Sequence, residues 1–481
     1  SYSSLSIATV TASGSCGENL TWVLSYDGEL TILGTGAMTD YELHSAPWFA
    51  YKDEIKTVTI KPGVTTIGKY AIGDCGNLTT VTIPEGVTSI GLQAFQYCYK
   101  LTSVTLSDGL KTIDWGAFAE CHELPSIDIP EGVTTIGNYA FTHCFKLSTV
   151  TIPESVTSIG IYAFRNTAIT SVVIPANISS LSQGTFENCP NLASITCKAE
   201  TPPSVGHSET FYNVNRSIPV YVPVSAVDAY KEADYWKEFT NFLPMGTCGD
   251  NLTWVLTEEG ELIVEGTGDM YDYYEDSSGK INHPWLECRN QIKTITIGEG
   301  VTSIGNTAFR DCTELTSISL NNGLKHIGVE AFRYCGQLTA IDFPESLTSI
   351  ANSSFFECRG LLSVTIPEGI TSIDFSTFYD CSSLKSLILP SGMTSIGGDA
   401  FKACHNLTEI VCKATTPPSI SSSTFSSVSR EAFVYVPQAS ISAYESAEYW
   451  SEFTNFRPIG TCGDNLTWRI TPEDELIVEG T

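Results

Sequence analysis

Residues 101–123 read LTSVTLSDGLKTIDWGAFAECHE, and the spacing of their apolar side chains decides the fold. Val104 and Leu106 alternate with Ser103 and Thr105, the pattern of a short strand with one buried face. The chain then turns at a Pro- or Gly-containing segment, written Ile-Pro-Glu-Gly at 83–86 and 366–369, where Pro fixes φ and Gly accepts unusual dihedrals. In the preceding copy Val87 and Ile90 bring the chain back along the same interior, and Ala94, Phe95 and Cys98 fit one tight helical turn. One such unit cannot bury its own apolar face. Stacked units can, with strands about 4.8 Å apart and equivalent side chains forming ladders.

Outward from this stretch the same beat continues. Cys75, Cys98, Cys121 and Cys144, and again Cys312, Cys335, Cys358, Cys381 and Cys404, are spaced by 23 residues. Phe95, Phe118, Phe141 and Phe164, then Phe309, Phe332, Phe355, Phe378 and Phe401, keep that interval, and leucines follow each cysteine by three positions. A ladder phenylalanine replaced by alanine should cost about 3–5 kcal/mol. Neighbouring ladder cysteines are within reach of a disulfide. Their side chains run parallel, however, and Thr167 stands at one equivalent position, so small buried thiols are the simpler reading. Cysteine count then does not establish an oxidising compartment.

A longer repeat encloses the short one. CGENLTW at 16–22 and CGDNLTW at 248–254 and 462–468 open three copies of one segment, and the third stops at Thr481, so the native protein is expected to continue. The closing segments are duplicated too, YVPVSAVDAYKEADYWKEFTNF at 221–242 against YVPQASISAYESAEYWSEFTNF at 435–456. Tyr230, Trp236 and Phe239, with Tyr444, Trp450 and Phe453, are expected to close the open ends of the core, as arrays require. The organisation expected is an opening cap at 14–54, six repeats at 55–199 and a closing cap at 200–246. A second opening cap follows at 247–291, five repeats at 292–413, a closing cap at 414–460, and the truncated start of a third opening cap at 461–481. One unit, 147–168, has 22 residues and has lost one near Thr167.

Eleven units with Ile-Pro-Glu-Gly, Val-Thr-Ser-Ile-Gly and Ala-Phe-x-x-Cys resemble the BspA-like, or treponemal-type, leucine-rich repeat. The resemblance implies a β-rich right-handed solenoid with a parallel sheet on its concave side, here two tandem capped arrays with short strands and 3-10 or helical turns. It also implies a bacterial cell-surface or secreted protein that adheres to host matrix proteins, other cells or glycans. The Asn ladder of the common leucine-rich repeat is replaced mostly by Gly or Ser, as at Gly86 and Ser155.

Composition narrows the partners. The chain has 481 residues, 54 acidic and 25 basic, for a formal charge of −29. Such a charge argues against nucleic acid or anionic membrane as the main partner, since phosphate binding needs clustered Lys and Arg. No run of about 18 apolar residues occurs to span a bilayer. The chain opens at Ser1 without a charged-then-apolar leader, so any secretion signal is expected to have been removed or left out.

Chemistry is sparse. The adjacent pairs Cys121–His122, His143–Cys144 and Cys404–His405 evoke a thiol nucleophile and its base, but neighbours in sequence usually diverge, and surface histidines beside core cysteines are the simpler reading. No C-x-x-C pair supports zinc. Glu85, Asp108, Glu131 and Glu154, with Glu299, Glu345 and Glu368, recur at one turn and read as a solvated acidic edge, without an EF-hand loop to make a Ca²⁺ site. No catalytic, cofactor or metal residue is assigned. The informative asymmetry is aromatic: Tyr70, Trp115, Tyr139 and Tyr162 stand before Ala-Phe in the first array, and Tyr97, Tyr99 and Phe145 flank its cysteines. Tyr and Trp in rows are what protein-binding and sugar-stacking surfaces use, or they bury against a cap. The expected function is non-catalytic binding of a protein or glycan on host or neighbouring cells. A spacer projecting another domain is the alternative, and a hydrolase a distant third.

Overall fold

The alternating Thr-Val-Thr segments form the strands their pattern predicts. In the computed structural model, which describes residues 10–462, 466–470 and 475–480, the chain divides into two compact units, Ser1–Pro244 and Met245–Thr481. Each unit is a β-solenoid built on parallel strands. In the first, Val10–Gly17, Leu20–Ser25 and Glu29–Gly34 form an antiparallel meander. Its last strand then pairs in parallel with Thr57–Ile60, which pairs with Thr80–Thr82, and that with Ser103–Thr105. The register advances by one repeat at each step, Thr57 opposite Thr80 and Thr80 opposite Ser103. A second wall is made by two-residue strands, in which Ile67, Ile90, Ile113, Ile136 and Ile159 are successive partners. The second unit repeats the plan. Leu252–Leu256 and Glu261–Gly266 are antiparallel, and Glu261–Gly266 passes in parallel to Thr294–Ile297 and Ser317–Ser319.

Between the walls lies the ladder core. Phe95, Phe118, Phe141, Phe164, Phe309, Phe332, Phe355, Phe378 and Phe401 are fully buried, as are Cys98, Cys121, Cys144, Cys335, Cys358 and Cys381. The phenylalanines stack face to face: Phe95 on Phe118 at 5.2 Å and 1°, Phe118 on Phe141 at 5.5 Å and 3°, and Phe141 on Phe164 at 5.5 Å and 4°. The columns end differently. Phe239 meets Phe211 edge-on at 88° and Phe453 meets Phe425 at 82°, while at the opening ends Trp22 stands at 76° to Trp48 and Trp254 at 89° to Trp285. Tyr230, Trp236, Tyr444 and Trp450 are buried in the closing caps, and both indoles donate to a proline carbonyl, Trp236 to Pro203 and Trp450 to Pro418.

The cysteines are free and, apart from Cys462, buried. Ladder thiols that follow another coil donate to its carbonyls: Cys121 to Phe95 at 3.4 Å, Cys144 to Phe118 at 3.2 Å, Cys335 to Phe309 at 3.2 Å and Cys358 to Phe332 at 3.1 Å. Burial pushes the Cys75 and Cys144 thiols up to about 12. Thr167 replaces the thiol with a hydroxyl, which donates to Phe164 of its own coil at 2.9 Å.

Helical segments occur in the caps, such as Val227–Glu232 and Trp236–Glu238. Within the coils the Ala-Phe-x-x-Cys segment is a run of turns carrying two left-handed residues. One precedes Ala, as at Gln93 (φ 53°) and Tyr139 (φ 56°), and one precedes Cys, as at Tyr97 (φ 60°) and His143 (φ 59°). Left-handed backbone costs a non-glycine residue about 1–2 kcal/mol. The cost is offset because these amides point along the solenoid axis: Gln93 donates to Trp115 at 2.8 Å, Phe95 to Ala117 at 2.8 Å and Tyr97 to Ala119 at 3.0 Å, forming a third coil-to-coil ladder.

Candidate ligand-binding surface

The left-handed residue before each cysteine and the residue after it both project from the turn, because the intervening cysteine is committed to the core. In the first unit these positions hold Tyr97 and Tyr99, Glu120 and His122, then His143 and Phe145. The coil repeat stacks them. Tyr99 lies 4.9 Å from His122 and His122 lies 4.8 Å from Phe145, ring centre to ring centre, with Tyr97 5.9 Å from Tyr99. Tyr99 is 43% exposed and Phe145 is 52% exposed. Beneath them Glu120 accepts from His143 Nδ1 at 2.6 Å and His122 Nε2 at 2.9 Å. Burial pushes the Glu120 carboxyl up, but the hydrogen bonds from His143 and His122 outweigh it and hold it below its ordinary value. The carboxylate thus fixes both imidazoles, and a continuous ridge of rings runs across three coils.

The other aromatic row differs. Tyr70, Trp115, Tyr139 and Tyr162 are all half-buried. Trp115 packs on Tyr139 at 5.2 Å and Tyr139 on Tyr162 at 5.3 Å. The Tyr162 hydroxyl donates to Glu209 at 2.7 Å and accepts from Gln183 at 2.9 Å, and that bond to Glu209 raises the phenol to about 12. Trp115 is expected in the tyrosine row, but the 23-residue step back from Tyr139 falls on Gly116, the left-handed slot of its coil (φ 59°), and Trp115 is the residue before it. A side chain at 116 would have its Cβ 3.1 Å from Gln93 Cγ. Trp115, Tyr139 and Tyr162 are therefore packed on one another, and the more exposed aromatic surface is Tyr99–His122–Phe145.

Among the described residues the second unit has no equivalent ridge: the residues after its ladder cysteines are Thr313, Gly336, Arg359, Ser382 and His405. It has instead a cation–aromatic stack on the residue after each ladder phenylalanine. Arg333 covers Phe356 at 4.5 Å, Phe356 stacks on Tyr379 at 4.5 Å and 2°, and Lys402 lies 5.6 Å from Tyr379. The 23-residue interval between Arg333, Phe356, Tyr379 and Lys402 is the signal that would have found it. The recurring carboxylates Glu85, Asp108, Glu131, Glu154, Glu299, Glu345 and Glu368 are exposed. Glu154 pairs with Lys198 and Glu368 with Lys413. Among the described residues no three His, Cys, Asp or Glu side chains converge to hold a metal ion, and no helix is long and apolar enough to cross a membrane.

Short parallel strands, a phenylalanine–thiol core and a 23-residue step define a leucine-rich repeat solenoid. The chain belongs to the BspA type leucine rich repeat region family, whose model matches residues 45–167, 111–223, 280–408 and 349–455. Among solved structures, it is similar to a leucine rich cell surface protein from Faecalibacterium prausnitzii, with 27% identity over 89% of this chain and 100% of that one and a TM-score of 0.31. It is similar also to a T. pallidum leucine rich repeat protein, with 26% identity over 47% of this chain and 93% of that one and a TM-score of 0.30. A leucine-rich repeat protein from Eubacterium ventriosum shares 21% identity over 89% and 94% of the two chains, at a TM-score of 0.29. No curated protein matches the chain.

Proposed function

We propose that the protein is a non-catalytic binding protein of the bacterial surface, which presents the first solenoid to a protein or glycan on host or neighbouring cells. The observation that carries this reading is the Tyr99–His122–Phe145 ridge, whose rings are ordered by coil stacking and by Glu120 yet left open to solvent. Rigid aromatic rings supply contact area at low entropic cost, and tyrosine is among the residues enriched in binding hot spots. The test is binding of the intact chain to immobilised extracellular-matrix proteins and cell-surface glycans, by surface plasmon resonance, with Tyr99→Ala/Phe145→Ala as the comparison. Loss of binding with an unchanged circular dichroism spectrum is expected. Undiminished binding by the double variant would place the ligand elsewhere, and inertness of the intact chain would leave the repeats as a spacer.

A further inference from the structure

The ridge stops abruptly after Phe145, and the reason is the 22-residue coil. Where its neighbours have two residues between core positions, Phe145-Lys146 between Cys144 and Leu147 and Pro190-Asn191 between Cys189 and Leu192, this coil has only Ala168 between Thr167 and Ile169. One turn is therefore drawn in between two that project. The result is an open notch of about 350 Å³, with Thr167 and Ala168 in its lining, Phe145 and Pro190 on either side, and Asn166, Asn188, Asn191 and Asn213 around it. No charged residue lines it. Among the described residues, none of the four carboxamides makes a hydrogen bond to the protein through its side chain.

We infer that this notch is a binding subsite for a neutral pyranose sugar, stacked on Phe145 and held by the asparagine carboxamides; the inference rests on the proposed binding function and names its ligand class. A carboxamide offers both donors and acceptors without charge, which matches the paired hydroxyls of a sugar. A ring face with a few convergent polar groups is the common makeup of a small-ligand site, and the volume lies in the usual range. Backbone conformation does not by itself account for the asparagines. Asn166, Asn188 and Asn213 occupy left-handed slots, but the same slot holds Asp74, Tyr97, Glu120 and His143 in earlier coils and Asp311, Tyr334, Glu357, Asp380, Ala403 and Ser427 in the second unit. A neutral rather than an acidic sugar follows from the chain's net charge of −29 and the absence of Lys or Arg from the lining. Because Phe145 also ends the ridge, further residues of an oligosaccharide would extend over His122 and Tyr99.

The experiment is saturation-transfer NMR and a printed array on the full chain, with neutral oligosaccharides ending in glucose, galactose, mannose or N-acetylglucosamine beside sialylated and sulphated ones. Binding of a neutral saccharide is expected, weakened about five- to tenfold by Asn191→Ala and by Phe145→Ala, each removing roughly one good contact. Phe375→Ala, which removes an exposed ring of the second unit, should leave it unchanged. Inserting a glycine between Thr167 and Ala168 restores the coil length and should abolish binding. Asn191→Ala and Phe145→Ala act on exposed side chains, so they remain informative if the insertion fails to fold. Preference for acidic sugars, or binding untouched by Asn191→Ala, would overturn the inference. So would failure of every neutral saccharide while a protein ligand still binds through Tyr99 and Phe145, a result that would leave the proposed function standing.

Discussion

Acidification should weaken the second unit through one side chain. His283 precedes Pro284-Trp285 in the second opening cap at the position Ala46 takes before Pro47-Trp48 in the first. It is 2% exposed, neither ring nitrogen has a hydrogen-bond partner, and it lies against Trp285 at 5.8 Å and Tyr273 at 6.4 Å. Burial, with Arg289 adding to it, lowers its pKa from 6.5 to about 4. The folded state therefore holds the neutral ring while the unfolded chain takes up a proton below 6.5. Stability is retained above that value and lost as pH falls toward 4, at about 1.4 kcal/mol per pH unit, or about 2.5 kcal/mol by pH 4.5. Urea unfolding of the wild type and His283→Ala, followed by tryptophan fluorescence between pH 7.5 and 4.5, isolates this contribution, because carboxylate effects common to both cancel in the difference. The variant should gain on the wild type by about 2–3 kcal/mol over that range. Parallel pH profiles would refute the argument.

Phe141→Ala removes a ring stacked on both sides and should cost about 3–5 kcal/mol in denaturant unfolding, with the cavity unable to collapse between two fixed coils. Gly137→Ala brings a Cβ to 2.5 Å from the Asp114 carbonyl carbon and 2.7 Å from the Trp115 amide; a loss of about 1–3 kcal/mol is expected in thermal melts. Gly336→Ala, with nothing within 4 Å, should be close to neutral in the same assay. Alkylation with iodoacetamide at pH 8, read by mass spectrometry, should modify Cys462 rapidly and the fifteen buried thiols only after denaturation; fast labelling of Cys121 or Cys358 in the native protein would contradict their placement.

Much of the fold is legible from residue spacing because each ladder position answers to one constraint. Phe118 and Cys121 recur every 23 residues since a buried column admits little else, and a period of two in Val-Thr-Leu is a strand wherever one face is covered. The surface is harder to read, because side chains there answer to backbone geometry that spacing does not display. Trp115 joins the tyrosine row only if the 23-residue step is counted loosely, because the step back from Tyr139 falls on Gly116, the left-handed residue of that coil. His122 and His143 read as unrelated surface residues until the turn brings Glu120 between them. The missing residue near Thr167 is plain in the sequence, whereas the hollow it leaves depends on Phe145 and Pro190 projecting from the coils on either side. His283 had no signal beyond its difference from Ala46.

The edge-on rings at the ends of each column carry a consequence for solubility. A pile of parallel aromatic plates offers the same face at its last member as at every other, so nothing in the pile limits its growth, and identical surfaces in many molecules would join into fibres. Turning Phe239 and Phe453 through nearly a right angle, with Trp22 and Trp254 doing the same at the opposite ends, replaces that face with a rim that does not match it. A polymerisable motif is thereby kept at a fixed length.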